Sequence, residues 1–270
     1  MPNPSNPPLM PREGWHVMHL FYQIDHAQWA LFSDEEKRQA KTRLTGLVQE
    51  IRATPDTHLV LFVVATPKAD LGLMLVTPDL QVASAFEKQL TLSLGPEILN
   101  PVYSYLSLTE SGECGPGGER LAVEKDLVAG KAHTEDGIEK SAPPMEQDLK
   151  QCLYPVLPDW PLLCFYTMSK RRNGCDNWYS LDGEARRSLL AGQARIERAY
   201  RGRVVQLITG SAGLDEYEWG VTLFAKDTSD VKAIVSETRF DEVCARYTEF
   251  GDFYIGMQLP LDLLFRRLCL

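Results

Sequence analysis

The sequence predicts an α+β fold assembled from two β-α-β-β-α-β units in tandem. Three observations point there. Short apolar or alternating runs are punctuated by helices that begin at recognisable caps, and the same order of elements returns later in the chain. Between the two units lies a stretch, Ser111 to Gln151, with Cys114-Gly115-Pro116-Gly117-Gly118, many charges and almost no aromatic residue.

Trp15 to Ile24 suits a first strand. Ser33-Asp34-Glu35-Glu36 opens a helix, with Ser33 as N-cap and Glu36 three residues on; it runs to about Ala53, where Thr54-Pro55-Asp56 stops it. His58 to Ala65 and Leu71 to Val76 form a hairpin around Thr66-Pro67-Lys68-Ala69-Asp70. Thr77-Pro78-Asp79 leads into a second helix with Pro78 at its first position, and Leu80, Ala83, Phe86 and Leu90 recur at helical spacing. Val102 to Thr109 alternates as the fourth strand.

The order then repeats. Leu162 to Lys170 is a strand, Asp182 caps a helix reaching about Tyr200, and Arg203 to Thr209 is a strand. Gly210-Ser211-Ala212-Gly213 turns into the strand Glu218 to Ala225, Asp227 or Ser229 caps a helix to about Ala245, and Phe253 to Met257 closes the unit. Each unit has the ferredoxin-like order, and two such sheets either pack face to face or close into a barrel with helices outside. The chain thus divides into an N-terminal half over 12–110, a linker or lid over 111–151, a C-terminal half over 152–258 and an amphipathic tail over 259–270 that docks on a domain or a neighbouring subunit.

Composition narrows the function classes. Of 270 residues, 44% are apolar and 24% charged, ordinary for a soluble globular protein. The net charge of −9 argues against non-specific nucleic-acid binding, which needs a basic field. No apolar run reaches the roughly 18 residues of a membrane span. The N-terminal stretch Met1 to Pro11 reads as a disordered lead, and six widely spaced cysteines without a C-x-x-C pair read as reduced thiols of a cytoplasmic protein.

The strand from Leu162 to Lys170 carries an unusual face. Alternation sends Tyr166, Met168 and Lys170 one way and Phe165, Thr167 and Ser169 the other. At about 3.3 Å per residue, Tyr166 and Lys170 stand roughly 13 Å apart, comparable to the width of a large planar ligand. An edge strand with a snorkelling lysine gives the same pattern. On the helix after Asp182, Leu189, Gln193, Ile196 and Tyr200 form one stripe, which places the Gln193 amide on an apolar face or at its edge. Gln206 likewise sits between Val204 and Ile208 on one strand face, positioned for a ligand or a backbone partner. The histidines are scattered, and His16 and His19 fall on opposite strand faces, so a histidine metal site is not indicated.

Several segments resemble the chlorite dismutase-like family, most closely its coproheme decarboxylase branch. They include Leu153-Tyr154-Pro155, Cys164-Phe165-Tyr166-Thr167-Met168-Ser169-Lys170-Arg171-Arg172, Asn177-Trp178-Tyr179, Ile208-Thr209-Gly210-Ser211, Glu218-Trp219-Gly220-Val221-Thr222-Leu223-Phe224 and Arg239-Phe240-Asp241-Glu242-Val243. In the first half, Thr77-Pro78-Asp79-Leu80 and Tyr103-Ser104-Tyr105-Leu106-Ser107 also match. The resemblance implies tandem ferredoxin-like repeats forming a dimeric α+β barrel, usually a homopentamer, with haem or coprohaem held in the second half. It further implies peroxide-dependent oxidative decarboxylation of coprohaem propionates in haem biosynthesis, with a porphyrin and hydrogen peroxide as reaction partners.

In that resemblance Tyr166 matches the family's reactive tyrosine, and Lys170 and Arg239 match propionate-binding positions, a role that guanidinium-to-carboxylate pairing suits. Met168 lies between Tyr166 and Lys170. Gln206 falls where decarboxylases carry a glutamine and chlorite-splitting enzymes an arginine. Gln193 falls on the position of the proximal histidine, and an amide is a poor iron ligand; Cys152 and Cys244 replace an arginine and a serine. Two other functions therefore stand beside the enzyme. One is a non-catalytic porphyrin carrier or partner subunit, and the other a member that has left porphyrins altogether.

Overall fold

The computed structural model describes residues 7–111 and 144–270. Eight strands form the frame: β1 (His16–Ile24), β2 (His58–Val64), β3 (Leu71–Thr77), β4 (Leu99–Leu108), β5 (Leu162–Lys170), β6 (Val204–Gly210), β7 (Trp219–Ala225) and β8 (Thr248–Gln258). They close into one antiparallel barrel in the order β1-β3-β2-β8-β5-β7-β6-β4. The first four strands and the last four thus share one spatial order, 4-1-3-2, as the sequence repeat requires. The seams are short: Phe62 to Val64 of β2 pair with Gly256 to Gln258 of β8, and Leu108 pairs with Gly210.

The helices are α1 (His26–Leu31), α2 (Asp34–Ala53), α3 (Leu80–Leu92), α4 (Pro144–Leu153), α5 (Gly183–Ala199), α6 (Thr228–Phe240), α7 (Glu242–Tyr247) and α8 (Leu261–Arg267). Ser33 closes a reciprocal capping box with Glu36, as its spacing predicts. Pro78, expected at the first position of α3, lies ahead of the cap instead: Asp79 is the capping residue, its carboxylate accepting from the Gln81 N–H. The single helix expected up to Ala245 is two. Asp241 ends α6 and caps α7 through the Val243 N–H. The linker reading over 111–151 meets α4 at its end, and residues 112–143 lie outside the described ones. Cys164, Cys175, Cys244 and Cys269 are free thiols, but Cys152 is disulfide-bonded, which corrects the expectation that all six are reduced.

Alternation divides each strand between the barrel lumen and the helices. Val17, Phe21, Phe62, Leu163, Phe165, Phe224 and Tyr254 fill the lumen. His19 is buried there, its ring 3.9 Å from that of Phe165 and its Nε2 2.9 Å from Thr222 Oγ1. Burial drives its pKa down to about 3, so it is a neutral core residue. On the outer surface of β1 to β3, α2 and α3 pack a second core, joined by Leu264, Phe265 and Leu268 of the tail. The tail thus docks on the chain's own first half. Among the described residues no helix is long and apolar enough to cross a membrane.

Barrel closure depends on glycines at close approach. A Cβ on Gly256 would come within 2.5 Å of the Phe62 ring and 2.6 Å of the Val63 carbonyl oxygen, beside one of the seams. Gly256→Ala is expected to cost about 1–3 kcal/mol by overpacking, seen as a lower urea midpoint. An unchanged midpoint would show that the seam yields without cost.

Candidate functional site

The outer row of β5 turns Cys164, Tyr166 and Met168 away from the lumen, into a third core under α5 and α6. β6 and β7 widen this face with Gln206, Ile208, Val221 and Leu223, and β8 adds Phe250. Opposite stand Gln193 and Glu197 of α5, Ile234, Val235 and Thr238 of α6, and Cys244 of α7. One cavity lies between. Of the six expected site residues, Tyr166, Met168, Gln193 and Gln206 line it, as their strand and helix faces predict.

Lys170 and Arg239 do not line it. Lys170 is buried, its Nζ 3.0 Å from Thr248 Oγ1 and 5.0 Å from the centre of the Trp178 ring. Arg239 is exposed and lies over Phe250 and Phe253, at 5.2 and 5.8 Å from their centres. Those rings pack against Tyr166, Phe253 stacking on it at 4.5 Å and Phe250 tilted at 5.8 Å. The two cations therefore reach the cavity by different routes, Arg239 through the aromatic stack and Lys170 through its charge beside the Cys244 thiol.

The floor of the connection between β5 and α5 is pinned by Glu218. Its carboxylate accepts from the Lys170 backbone N–H, the Arg172 guanidinium and the Tyr179 hydroxyl. Burial works to raise its pKa, but these donors outweigh it and hold the carboxyl below its ordinary value. The loop that carries Trp178 over Lys170 is thereby fixed to the barrel end.

Two side-chain pairs draw α5 onto the rest of the site. Gln193 Nε2 donates to Cys244 Sγ at 3.2 Å, and Gln206 Nε2 donates to Glu197 Oε1 at 3.3 Å. Gly192 permits the approach: a Cβ there would lie 2.4 Å from an Asp241 carboxylate oxygen. The enclosed space is correspondingly small, about 40 Å³, room for roughly three waters.

Glu197 is not among the residues the sequence singles out, although its signal is present: it lies one helical turn beyond Gln193, so the same face carries both. Among the described residues lining the cavity it is the only carboxylate. Desolvation raises its pKa to about 7, with Arg198 opposing. Desolvation also raises the pKa of Tyr166, reinforced by Cys164, Cys244 and Glu197 and opposed by Arg239, so the phenol is neutral at ordinary pH. The Cys244 thiol is pushed up by burial as well, against the pull of Lys170 and the bonds to Thr248 and Gln193.

Fold and cavity together define an eight-stranded α+β barrel of two repeats with a largely apolar cleft on its outer surface. The sequence profile of chlorite dismutase matches residues 37–259, and the chain belongs to the chlorite dismutase family. It is similar, at 35% identity over 98% of both chains and a TM-score of 0.79, to the solved structure of a haem-binding protein from Thermus thermophilus. A variant chlorite dismutase from Candidatus Nitrospira defluvii gives a TM-score of 0.71 over 96% of this chain and 98% of that one, at 18% identity, which speaks for the fold.

For a tetrapyrrole, the apolar walls and nearby cations are suitable. Gln193 brings no imidazole, and its amide is engaged with Cys244. No group of three or more potential metal ligands occurs among the described residues. The macrocycle also needs more room than the cavity offers, since ligand pockets run to roughly 300–1,000 Å³. The residues fit the ring chemically once α5 withdraws from β6 and α7.

Glu197 leaves a mark on stability. Because its folded pKa of about 7 lies above the ordinary 4.5, its contribution is intact at low pH and is lost as pH rises through 7. Urea midpoints are expected to fall more steeply between about pH 5 and pH 8 in wild type than in Glu197→Gln. Parallel curves would place the carboxylate in solvent.

Proposed function

We propose that this chain binds a carboxylated tetrapyrrole in the cleft between β5 to β7 and helices α5 and α6, without an imidazole bond to iron. The observation that carries this is the convergence of Tyr166, Met168, Gln193 and Gln206 on one cavity with apolar walls, in a chain of the chlorite dismutase family. The similarity to a haem-binding protein at 35% identity supports the ligand class. Arg239, stacked on Phe250 beside the cavity, is placed to take a propionate. Lys170 takes one only if its ammonium turns from Thr248 and Trp178.

Tyr166 favours a second reading, the peroxide-dependent coproheme decarboxylase of the family resemblance. Bound iron would supply the reaction with peroxide. The chain's own part is to hold a neutral phenol, shielded by Phe250 and Phe253, on the cavity wall, with the Arg239 cation among the charges that act on it. Gln193 weighs against this reading, because no protein imidazole tunes the iron from α5.

Coproporphyrin titrated into the protein is expected to quench tryptophan fluorescence saturably, and Arg239→Ala to weaken binding by about tenfold, the loss of one charge-assisted pair. No saturable binding would overturn the tetrapyrrole reading. Iron coproporphyrin with peroxide then separates the two functions. Vinyl products formed by wild type and lost in Tyr166→Phe would establish the enzyme, whereas binding without product is the expected result for the carrier.

A further inference from the structure

The closed cavity under α5 holds an unmatched donor and an unmatched acceptor. Tyr166 is only 5% exposed and lines it, yet its hydroxyl makes no hydrogen bond with any of the described residues. Glu197 lines the same space, and among the described residues only one of its two oxygens is engaged, Oε1 accepting from the Gln206 amide at 3.3 Å. The other polar side chains on the wall have partners: Gln193 donates to Cys244, and the Thr238 hydroxyl donates to the Ile234 carbonyl oxygen. A buried hydroxyl without a partner is costly. A polar cavity of about 40 Å³ admits the water that supplies one.

We propose that water held in this cavity joins the Tyr166 hydroxyl to the second oxygen of Glu197, so that one-electron oxidation of the phenol passes its proton to that carboxylate. This concerns the cleft in its closed form and goes beyond the tetrapyrrole reading, on which it does not depend. The phenol gives one electron to an outer-sphere oxidant. Its O–H bond breaks, the proton goes to the bridging water, and that water hands a proton to Glu197, leaving a neutral phenoxyl radical opposite a carboxylic acid. Return of an electron brings the proton back. Chemistry singles out Glu197 as the acceptor: the amide oxygens of Gln193 and Gln206 accept a hydrogen bond but take no proton at ordinary pH, and the Cys244 sulfur already accepts from Gln193.

The electron has its own exit. Phe253 stacks on the phenol at 4.5 Å with Phe250 tilted beside it, both rings are only partly buried, and the exposed Arg239 lies over them. An oxidant on that face stands one ring away from Tyr166, and an anionic one is drawn there by the guanidinium. Proton and electron thus leave on different sides of the ring. Only the ionised carboxylate takes the proton, and Glu197 ionises at about 7, so oxidation speeds up as pH rises through that value. The charged and titratable groups around the pair are Arg198 on α5, Arg239 on α6, Cys164 on β5 and Cys244 on α7, with Lys170 and Asp241 acting on Cys244; β6, β7 and β8 add none to the wall. Burial keeps both thiols protonated over this range, so the change belongs to Glu197.

Hexachloroiridate(IV), an anionic one-electron oxidant, provides the test on the full-length protein without added porphyrin. The variants are Tyr166→Phe, Glu197→Gln, Glu197→Asp and Cys244→Ser. The signal is the tyrosyl radical seen by electron paramagnetic resonance, with its rate of formation from stopped flow, less what Tyr166→Phe gives. Wild type is expected to form this radical about tenfold faster at pH 8 than at pH 6. In Glu197→Gln, which keeps the shape of the side chain but takes no proton, the pH dependence is expected to vanish and the rate at pH 8 to fall about tenfold. Glu197→Asp is expected to retain the pH dependence, as is Cys244→Ser. A wild-type pH profile in Glu197→Gln, or the absence of any Tyr166-dependent radical in wild type, would overturn the inference. Neither result bears on the tetrapyrrole reading, which the coproporphyrin titration tests separately.

Discussion

Closing eight strands into one barrel gives every strand an inner and an outer row, and the site depends on that division. On β5, Leu163 and Phe165 enter the lumen, where they meet Phe21, Phe224 and Tyr254, while Cys164, Tyr166 and Met168 are left for whatever covers the outside. A slip of one residue would exchange the rows and bury the phenol in the lumen. The seam at Gly256 and Phe62 holds the register from the other side. The chemistry of the outer face is thus a consequence of how the inner one packs.

Helix α5 supplies the opposite wall, and its approach has an energetic tension. The Gln193–Cys244 and Gln206–Glu197 pairs pull it inward, and Gly192 lets it come close to Asp241. Against this stands a carboxylate desolvated beside apolar side chains, with a neutral amide for company. The same helix therefore both closes the cleft and carries the carboxylate that lines it.

Local signals in the sequence are enough for much of this arrangement. β5 runs from Leu162 to Lys170 as read, because Leu162 to Tyr166 is an unbroken apolar run that starts after Pro161, and the faces that carry Gln193 and Gln206 line the cavity. The features that differ are set by contacts distant in sequence or by competing caps. β8 begins at Thr248 rather than Phe253: Gly251 breaks its alternation, and that glycine is needed because the Thr167 hydroxyl would lie 2.3 Å from a Cβ there. The break at Asp241 is hidden because Arg239-Phe240-Asp241-Glu242 is compatible with a continuous helix until the aspartate turns its carboxylate to the Val243 N–H. Lys170 shares the face of Tyr166 by periodicity, yet Trp178 and Thr248, which hold its ammonium, come from elements no strand pattern connects to it. Glu197 is one turn from a residue the helical stripe singles out, but only Gln206, on the facing strand, shows that it is drawn into the cleft.

Admitting a tetrapyrrole to this cleft requires α5 to move away from β6 and α7. Amide hydrogen exchange with and without coproporphyrin tests this most directly. The result expected is a ligand-dependent change in α5, in β6 and around Cys244, with α2, α3 and β1 to β3 exchanging as before. A change confined to the first four strands, or none anywhere at saturating ligand, would contradict it.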